Sequence, residues 1–520
     1  MMSKESCSVF FKTANIVTFF EKSLIFSEIC RRNHSSRGMP CLINHFDMHY
    51  DIIIIGGGAA GLMAAIGAGT TNPALSVLVL EKMPRPGRKI VITGKGRCNF
   101  TNLKDWGAFA PHVRANSNVL RASFQNLTPQ GLIDFFENEG MPAVVERGDR
   151  AFPESHRSMD VVDTLVNAAN RRGVRIRTGA EVAGIAVEEE YGERIFSVSL
   201  ADGDTLTCSR LILATGGLSY PATGSTGDGY RFAESLGLEL KPRFPSLTAL
   251  VPRGYKNAGE TTAQRVAAAL SGVNSVSAGR PAFSRGPAAG RGHIDRSSSL
   301  SETGKLLCGI QLKNVGVSLL VNGNMVQEME GDLDFTDGGI EGPAGFNISR
   351  NAVKAIVNGG KVSVIVNLKP GVPMEEFRPR VEKLWEEVRN DPRSNKRPIR
   401  HVVRVLLGKL MPWELTQAFL KCNSSVIGTT KGREVLKINA LIDAVTSWKF
   451  DIEGYVGYER CVITAGGVSC DEVVPKTLES RKIKGLYLCG ELLDLDADTG
   501  GYNLQIAFST GYLAGQSAAR

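Results

Sequence analysis

The sequence lacks the cysteine patterns of a metal site or of a disulfide framework. Its ten cysteines are scattered over 520 residues, and they form no C-x-x-C pair and no zinc-ligand spacing. The seven histidines are scattered as well. We therefore predict no bound metal, mostly inert thiols and a reducing compartment inside the cell.

Net charge is scarce outside two segments. The formal charge is +8, of which residues 1–49 carry +2 and residues 253–305 carry +5, so the remainder is near neutral. Nucleic-acid binding favours a basic patch on a folded face. A small-molecule substrate is therefore the expected partner, nucleic acid is not favoured, and the oligomeric state stays open.

The first 49 residues lack the continuous apolar core of a secretory signal. Glu5, Glu21 and Glu28 count against an organelle transit peptide, which is poor in acids. We interpret residues 1–49 as an extension that is either disordered or a targeting peptide. Cytoplasm and organelle (mitochondrion or plastid) both remain open.

Residues 52–80 contain no charge, which allows a membrane span as one interpretation. Six glycines within 52–69 and the Asn72-Pro73 break argue against a span. The run Ile52–Ile55, the alanine-rich stretch after it and the run Ser76–Leu80 instead predict a buried strand, a helix and a second buried strand.

Glycines at the end of the first strand match a dinucleotide-binding turn. Gly56, Gly58 and Gly61 fit G-x-G-x-x-G, in which the glycines permit a tight turn, close approach to a pyrophosphate and close helix packing. Glu81 ends the second strand, where a carboxylate binds a ribose 2′-hydroxyl and repels a 2′-phosphate. The pattern predicts FAD or NAD at this turn.

A second glycine-rich segment, Gly87–Asn102, carries several cations. We predict that Arg88, Lys89 and Arg97, with backbone donors, surround the cofactor's phosphates or ring edge. Cys98 follows Arg97, and a neighbouring cation is expected to lower a thiol's pKa, so Cys98 is a weak catalytic candidate.

The rest of the chain predicts one domain inserted into another. Helices are expected from Pro129 to Gly140 and from Met159 to Arg172, and short strands are expected at 174–177, 181–187, 195–200, 205–208 and 210–214. The last strand ends in A-T-G-G, a second place for close approach to a nucleotide.

The character of the sequence changes after residue 242. Alternating segments at 247–251, 306–321 and 362–368 suggest an antiparallel barrel or sheet, and helical periodicity follows at 375–389 and 399–420. Residues 257–305, rich in Ser, Ala, Gly and Arg, are interpreted as a disordered loop.

The final segment returns to a strand–glycine–helix pattern. A strand at 486–489 precedes Gly490 and Glu491, and a helix begins near Asn503. The N-terminus of that helix favours negative charge on a reduced flavin ring. Asp494 and Asp496, in the loop between them, are interpreted as residues of a solvated turn.

These motifs together resemble a known family. G-G-G-A-A-G-L at the first turn, G-x-G-R-C-N-x-T-N at Gly94–Asn102, A-T-G-G at Ala214, T-x-G-G-V at Thr464–Val468 and G-E-x-L-D-x-x-x-x-T-G-G-Y-N at Gly490–Asn503 occur in this order. They resemble the YhiN/BaiN-like flavoproteins, often described as NAD(P)/FAD-dependent oxidoreductases. The resemblance covers about 50–250 and 306–520.

The resemblance implies an α/β fold, with a two-dinucleotide-type, Rossmann-like FAD-binding domain and an inserted β-barrel plus helical domain. The expected boundaries are 1–49 for the extension, 50–242 and 461–520 for the two parts of the FAD domain, and 243–460 for the inserted substrate domain. It also implies contacts of the pyrophosphate with the first turn, of the adenine with the backbone of Val182, and of the ribityl chain and flavin with the last motif. The predicted cofactor contacts are Gly56, Gly58, Ala59, Ala60, Gly61, Glu81, Lys82, Arg88, Lys89, Gly96, Arg97, Cys98, Asn99, Val182, Ala214, Thr215, Gly216, Gly490, Glu491, Gly501, Asn503 and Leu504.

One motif departs from the family. Relatives commonly show F-T-H-x-G-x-S-G-P in the insert, where Phe335–Pro343 here reads FTDGGIEGP, with Asp337 for His and Glu341 for Ser. Asp337 and Asn503 are further weak catalytic candidates. If that histidine relays protons in relatives, this chain does so by other means.

We predict an FAD-dependent oxidoreductase that transfers hydride from a reduced donor to a small organic acceptor. The resemblance suggests an activated C=C bond as that acceptor. NAD(P)H is the expected donor. Because no second G-x-G-x-x-G is visible, it would dock transiently at the flavin face, or another donor serves. A flavin-dependent RNA-modifying protein, suggested by the basic loop 257–305, and a non-catalytic flavin-binding protein, suggested by Asp337, stay open.

Overall fold

The structure is a computed structural model that describes residues 48–190, 193–257, 294 and 299–520. Residues 1–47, and with them almost all of the predicted extension, lie outside the described residues, as do 258–293 and 295–298 of the predicted loop. Within the described ranges, no helix is long and apolar enough to cross a membrane.

Strands and helices alternate in the first and last parts of the chain, and strands dominate the middle. The strands are β1 Met48–Ile55, β2 Val77–Glu81, β3 Thr101–Asn102, β4 Ala143–Glu146, β5 Arg150–Pro153, β6 Arg175–Thr178, β7 Val182–Glu190, β8 Glu193–Leu200, β9 Thr205–Leu213, β10 Leu240–Ser246, β11 Leu250–Pro252, β12 Gln311–Val321, β13 Asn324–Thr336, β14 Gly339–Glu341, β15 Val362–Asn367, β16 Ile427–Thr430, β17 Arg433–Leu436, β18 Trp448–Tyr455, β19 Ile463–Val468 and β20 Leu486–Leu488.

The helices pack against these strands. They are α1 Ala59–Thr71, α2 Arg88–Ile92, α3 Trp106–Phe109, α4 Ser117–Asn126, α5 Pro129–Asn138, α6 Ser158–Arg171, α7 Asp228–Ser235, α8 Glu302–Leu307, α9 Gly342–Val357, α10 Met374–Arg389, α11 Ile399–Leu410, α12 Trp413–Cys422, α13 Ile438–Thr446 and α14 Tyr502–Ala518.

A Rossmann-type sheet forms the first layer, in the order β6-β2-β1-β9-β8-β7, and β20 also pairs with β9. β6, β2, β1, β9 and β20 run parallel to one another, whereas β8 and β7 are antiparallel additions. The side chains of Ile52, Ile53 and Ile54 are fully buried, as expected for a central parallel strand covered on both faces.

Helix α1 packs against α14, and glycines allow the close contact. A Cβ at Gly511 would lie 2.2 Å from the carbonyl oxygen of Ala60, and one at Gly515 would lie 1.9 Å from that of Ala64. α1 ends at Thr71, because Pro73 disfavours helical geometry at Asn72, which is extended. The first and last helices of the described chain therefore share one face of the sheet.

The chain leaves and re-enters this domain through a two-stranded link. β10 pairs antiparallel with β19, so that Leu240 lies opposite Val468 and Ser246 opposite Ile463. Between them lies a closed barrel in the order β11-β14-β13-β12-β15-β18. An aromatic core fills it, in which Phe335, Trp448 and Phe450 have ring centroids 4.7–6.2 Å apart.

The predicted fold class is confirmed: an α/β Rossmann-type domain carries an inserted barrel with helices. α5, α6 and α10 lie close to their predicted bounds. The two strands predicted at 205–208 and 210–214 are instead the single strand β9, whose first half pairs with β8 and whose second half pairs with β20.

Three boundaries were wrong. β1 begins at Met48, inside the predicted extension. Helix α8 occupies part of the predicted disordered loop and of the predicted strand 306–321, because Ser301 caps it by accepting a hydrogen bond from the Gly304 N–H. The predicted helix 399–420 is broken, since Pro412 cannot continue α11.

Replacement of Gly515 by alanine should destabilise the fold. The new Cβ collides with the α1 backbone, so we expect about 1–3 kcal/mol less free energy of unfolding, measured by urea denaturation. Gly371→Ala is the control, because its Cβ meets nothing within 4 Å. Equal midpoints for the two variants would contradict the close packing of α1 on α14.

Candidate functional site

The candidate site lies where the parallel strands end. β1, β2, β9 and β20 point their carboxyl ends at the same edge of the sheet, so the loops that follow them converge there. Gly56 donates its N–H to the Leu80 carbonyl, and Ala214 donates its N–H to the Ile55 carbonyl. Ligands of α/β sheets bind at this kind of edge.

The first turn fits a pyrophosphate. Gly56 has φ +108°, and a Cβ there would lie 2.5 Å from the Ala214 carbonyl oxygen. A Cβ at Gly61 would lie 1.8 Å from the Gly56 oxygen, whereas one at Gly58 would meet nothing within 4 Å. The first turn of α1 has no acidic residue and no side-chain cap. Its N–H groups are therefore free to bind phosphate in the space beside Gly58.

Glu81 is fixed by the backbone around it. Its Oε2 accepts the Gly57 N–H at 2.8 Å, and its Oε1 accepts the Met83 N–H at 2.8 Å. Burial raises the pKa of this carboxyl, and the two N–H donors oppose that rise. Each oxygen keeps a lone pair for a ribose hydroxyl. Ala180, two residues before Val182, donates its N–H to the Glu81 carbonyl, which places Val182 beside the same corner.

Three of the four predicted cations after β2 reach across to one segment, residues 219–228, which follows β9. Lys82 contacts Asp228 and Thr226, Arg88 donates to the Ala222 carbonyl at 3.4 Å, and Lys89 contacts Ser219. These side chains hold the loop that follows Ala214, Thr215 and Gly216. Their contact with cofactor phosphates stays a prediction.

Glu491 joins three elements of the site. Its Oε2 pairs with Lys89 Nζ at 2.6 Å, and its Oε1 accepts from the Ser219 hydroxyl at 2.6 Å and from the Thr464 N–H at 2.8 Å. Gly490, beside it, packs against α1, since a Cβ there would lie 2.7 Å from that of Ala60. Glu491 thus fixes β19, α2 and the loop after β9 at one point.

The segment Gly96–Asn99 turns tightly beside the site. Arg97 pairs with Glu146 and stacks over the Phe152 ring at 4.3 Å. The Oδ1 atom of Asn99 is buried and has no hydrogen-bond partner among the described residues. A buried, unpaired acceptor is costly, so Asn99 Oδ1 fits a ligand donor such as a flavin ring N–H.

Cys98 corrects an expectation. We expected Arg97 to lower the pKa of this thiol, but Cys98 is fully buried and burial raises its pKa to about 12. The Arg97 guanidinium turns instead toward Glu146. Burial therefore disfavours a Cys98 thiolate near neutral pH.

The acidic loop before α14 also differs from the sequence interpretation. We expected a solvated turn, yet Asp496 is 0% exposed, and burial raises the pKa of Asp494. Asp498 accepts from Arg114 at 2.6 Å and contacts His112 Nδ1 at 2.9 Å. The loop is thus a buried, charge-paired segment.

Asp496 is held by the inserted domain. Arg350, on α9, donates to its two oxygens at 2.6 and 2.9 Å. From the same helix, Asn347 accepts the Thr499 N–H at 3.1 Å. Helix α9 therefore fixes the loop that leads into α14, and so links the barrel domain to the candidate flavin site.

The start of α14 is fixed by two asparagines. Asn503 donates to the Ala497 carbonyl and accepts the Ala497 N–H, both at 2.9 Å. Asn102 donates to the Gly500 carbonyl at 3.1 Å. Gly501 has φ +98°. These contacts leave the first N–H groups of α14, near half-buried Leu504, available to a ligand.

Asp337 lies elsewhere, at the β13–β14 turn of the barrel. It pairs with Arg460, which also contacts Glu341 at 2.6 Å. Burial raises the pKa of Glu341. The catalytic role of Asp337 stays untested. Within the described ranges, no group of three or more His, Cys, Asp or Glu is placed to hold a metal.

Sequence reasoning missed several residues that build the site. They lie on elements far apart in the chain and belong to no local motif: His112, Arg114, Ser219, Arg350 and Asn347. Thr464 was part of a recognised motif, yet its bond to Glu491 was not anticipated. The acidic spacing 494–496–498 was the available signal, because three carboxylates in a short loop require cations nearby.

Comparison with known proteins identifies the family of this chain. The family model described as HI0933-like protein Rossmann domain matches residues 50–517. The chain is 31% identical over 477 residues to 3-dehydro-bile acid delta(4,6)-reductase of Clostridium scindens, covering 90% of this chain and 98% of that protein. It is 29% and 28% identical to the ribosomal RNA dihydrouridine synthases of Escherichia coli and Haemophilus influenzae, with 90% of this chain and 97% and 98% of those proteins covered.

Fold, site and family define an FAD-dependent oxidoreductase with a Rossmann-type cofactor domain. The chain belongs to the HI0933-like family, which confirms the resemblance to YhiN/BaiN-like flavoproteins.

Glu81→Gln should weaken FAD binding. The amide NH₂ would face the N–H of either Gly57 or Met83, so that one hydrogen bond and the charge are lost. We expect a roughly 10- to 100-fold higher Kd, measured by titrating apoprotein with FAD. Exposed Glu188→Gln is the matched control. An unchanged Kd would exclude Glu81 from the cofactor site.

Arg350→Met should destabilise the protein by about 3–5 kcal/mol, because it leaves the Asp496 carboxylate buried and unpaired. The double variant Arg350→Met, Asp496→Leu should recover most of that loss. Exposed Lys354→Met on the same helix should change little. Chemical denaturation measures the free energy of unfolding of the three variants. An Arg350→Met variant as stable as the wild type would show that the Arg350–Asp496 ion pair does not stabilise the fold.

Proposed function

We propose that this protein is an FAD-dependent reductase that adds hydride and a proton to a carbon–carbon double bond conjugated with a carbonyl group. The observation that carries the proposal is the chemistry shared by the names of the full-length relatives. A 3-dehydro bile acid with a delta-4 double bond is an enone, and the C5=C6 bond of uridine is conjugated with the C4 carbonyl.

The arrangement of the site supports this proposal. FAD, when bound, supplies hydride transfer. Glu81 favours a free adenosine ribose over a 2′-phosphate, and the first turn of α1 offers N–H groups to the pyrophosphate. The N-terminus of α14, held by Asn102 and Asn503, favours negative charge on a reduced ring.

A nicotinamide is the donor we favour. No second G-x-G-x-x-G occurs in the chain, so NADH or NADPH would dock transiently and leave before the substrate enters. The acceptor would occupy the junction between the Rossmann-type domain and the barrel, since substrate sites favour domain interfaces.

Reduction of uridine in ribosomal RNA is the second candidate. Two relatives that match as much of the chain as the bile-acid reductase carry that name. The near-neutral charge of the chain outside residues 1–49 and 253–305 argues for a small substrate instead.

Anaerobic titration of the purified protein with NADH and NADPH tests the proposal first. We expect the flavin absorbance to bleach with one of them and to return on adding a 3-keto-delta-4 steroid or a simpler enone. Bleaching followed by recovery only with unmodified ribosomal RNA would favour the uridine candidate. No recovery with any conjugated acceptor would refute double-bond reduction.

A charge-removal variant separates the two substrates. The arginines at 265, 280, 285, 291 and 296 are changed to glutamine, which removes the positive charge of the basic segment. An RNA substrate predicts a large loss of activity that deepens with salt, whereas an enone substrate predicts unchanged kcat/KM.

A further inference from the structure

A carboxylate–histidine pair stands at the start of α14. The His112 Nδ1–H donates to Asp498 Oδ2 at 2.9 Å, and Arg114 holds both oxygens of the same carboxylate. Asp498 is 6% exposed, whereas the His112 side chain is 35% exposed. The carboxylate therefore fixes the ring orientation, and Nε2 faces away from the pair.

The backbone also ties His112 to this loop. Asp498 donates its N–H to the His112 carbonyl at 3.0 Å, and Val113 bridges Ala497. The imidazole ring stacks on Tyr502, the first residue of α14, with 4.4 Å between ring centroids. His112 therefore packs on the residue that directly follows Gly501, at the candidate flavin site.

Two other described histidines, His156 and His49, are less suited to give a proton. His156 Nδ1 lies 3.1 Å from the Arg97 guanidinium, and its Nε2 lies 4.0 Å from a Glu146 oxygen, so both ring nitrogens face other side chains. Both ring nitrogens of His49 bond hydroxyl groups at the start of β1, away from the strand ends. For His112, no described residue bonds Nε2.

We infer that His112, oriented by Asp498, is the acid that protonates the substrate's α-carbon. This inference rests on the proposed reduction of a conjugated double bond. Asp337 stands where relatives commonly carry a histidine, and His112 supplies an imidazole from another element.

The chemistry balances with these groups. Hydride arriving at the β-carbon breaks the C=C π bond and moves its electron pair onto the α-carbon and the carbonyl oxygen. The His112 imidazolium gives its Nε2 proton to the α-carbon, which forms the second C–H bond, and the neutral ring regains a proton from water. The reduced nicotinamide is the source of both electrons.

His112→Asn tests the inference, because asparagine keeps a donor for Asp498 and loses the acid. We expect FAD content and the rate of flavin bleaching by nicotinamide to stay unchanged, while recovery of the absorbance by the enone slows ~100-fold or more. His156→Asn is the matched control and should resemble the wild type. A His112→Asn rate within threefold of the wild type would overturn the inference.

A second measurement does not depend on turnover. Diethyl pyrocarbonate modifies exposed imidazole nitrogens, and mass spectrometry maps the modified histidines. In the oxidised holoprotein, a saturating 3-keto-delta-4 steroid should protect His112 and leave exposed His401 modified. Equal modification of His112 with and without the steroid would show that His112 does not face the substrate. If the wild type reduces no conjugated acceptor at all, the proposed function fails instead.

Discussion

The contact between α1 and α14 is the constraint on which the site depends. Glycines at 511 and 515 let the two helices approach until backbone meets backbone, and the helices begin at the first and last glycine turns of the fold. Residues more than 400 positions apart are therefore brought to one edge of the sheet. Gly490, in the last strand–glycine–helix unit, lies against Ala60 in the first turn of α1.

Charge pairing fixes the loops that the strands and helices leave free. Lys82 and Lys89 hold the loop after β9, Glu491 joins that loop to β19, and Asp496 joins the last loop to the inserted domain. Most of these pairs are partly or fully buried, so a missing partner would leave an uncompensated charge. The barrel domain is consequently not an independent addition, because its helix α9 fixes the segment that precedes α14.

The proposed reduction requires two things at one place, a hydride source and an acid. The glycine turns and Glu81 fit the cofactor that supplies the first, and the His112–Asp498 pair is suited to the second. Cys98, which the local sequence suggested as a reactive group, is sealed in the core with a raised pKa. The pKa of a side chain at this site therefore depends on its burial and its contacts in the folded protein, rather than on its neighbours in the sequence.

Local patterns predicted much of the fold, because strand–glycine–helix units depend on spacing within about 30 residues. Gly56, Gly58, Gly61 and Glu81 were identified this way, as were α5, α6 and the barrel-like alternation. The predictions failed where the pairing of distant strands sets the bounds of an element. β9 is one strand because β1 pairs with it from Leu206 to Leu213, whereas β8 and β20 each pair with only one half.

Motifs of neighbouring residues are enough to predict the fold class, the family and a candidate dinucleotide turn. Which charges are buried and paired becomes visible in the folded structure alone. Asp496 meets Arg350 across 146 positions, and Asp498 meets Arg114 across 384. No local pattern encodes such a pair, because burial and partnership of a carboxylate depend on elements that meet only when the chain has folded.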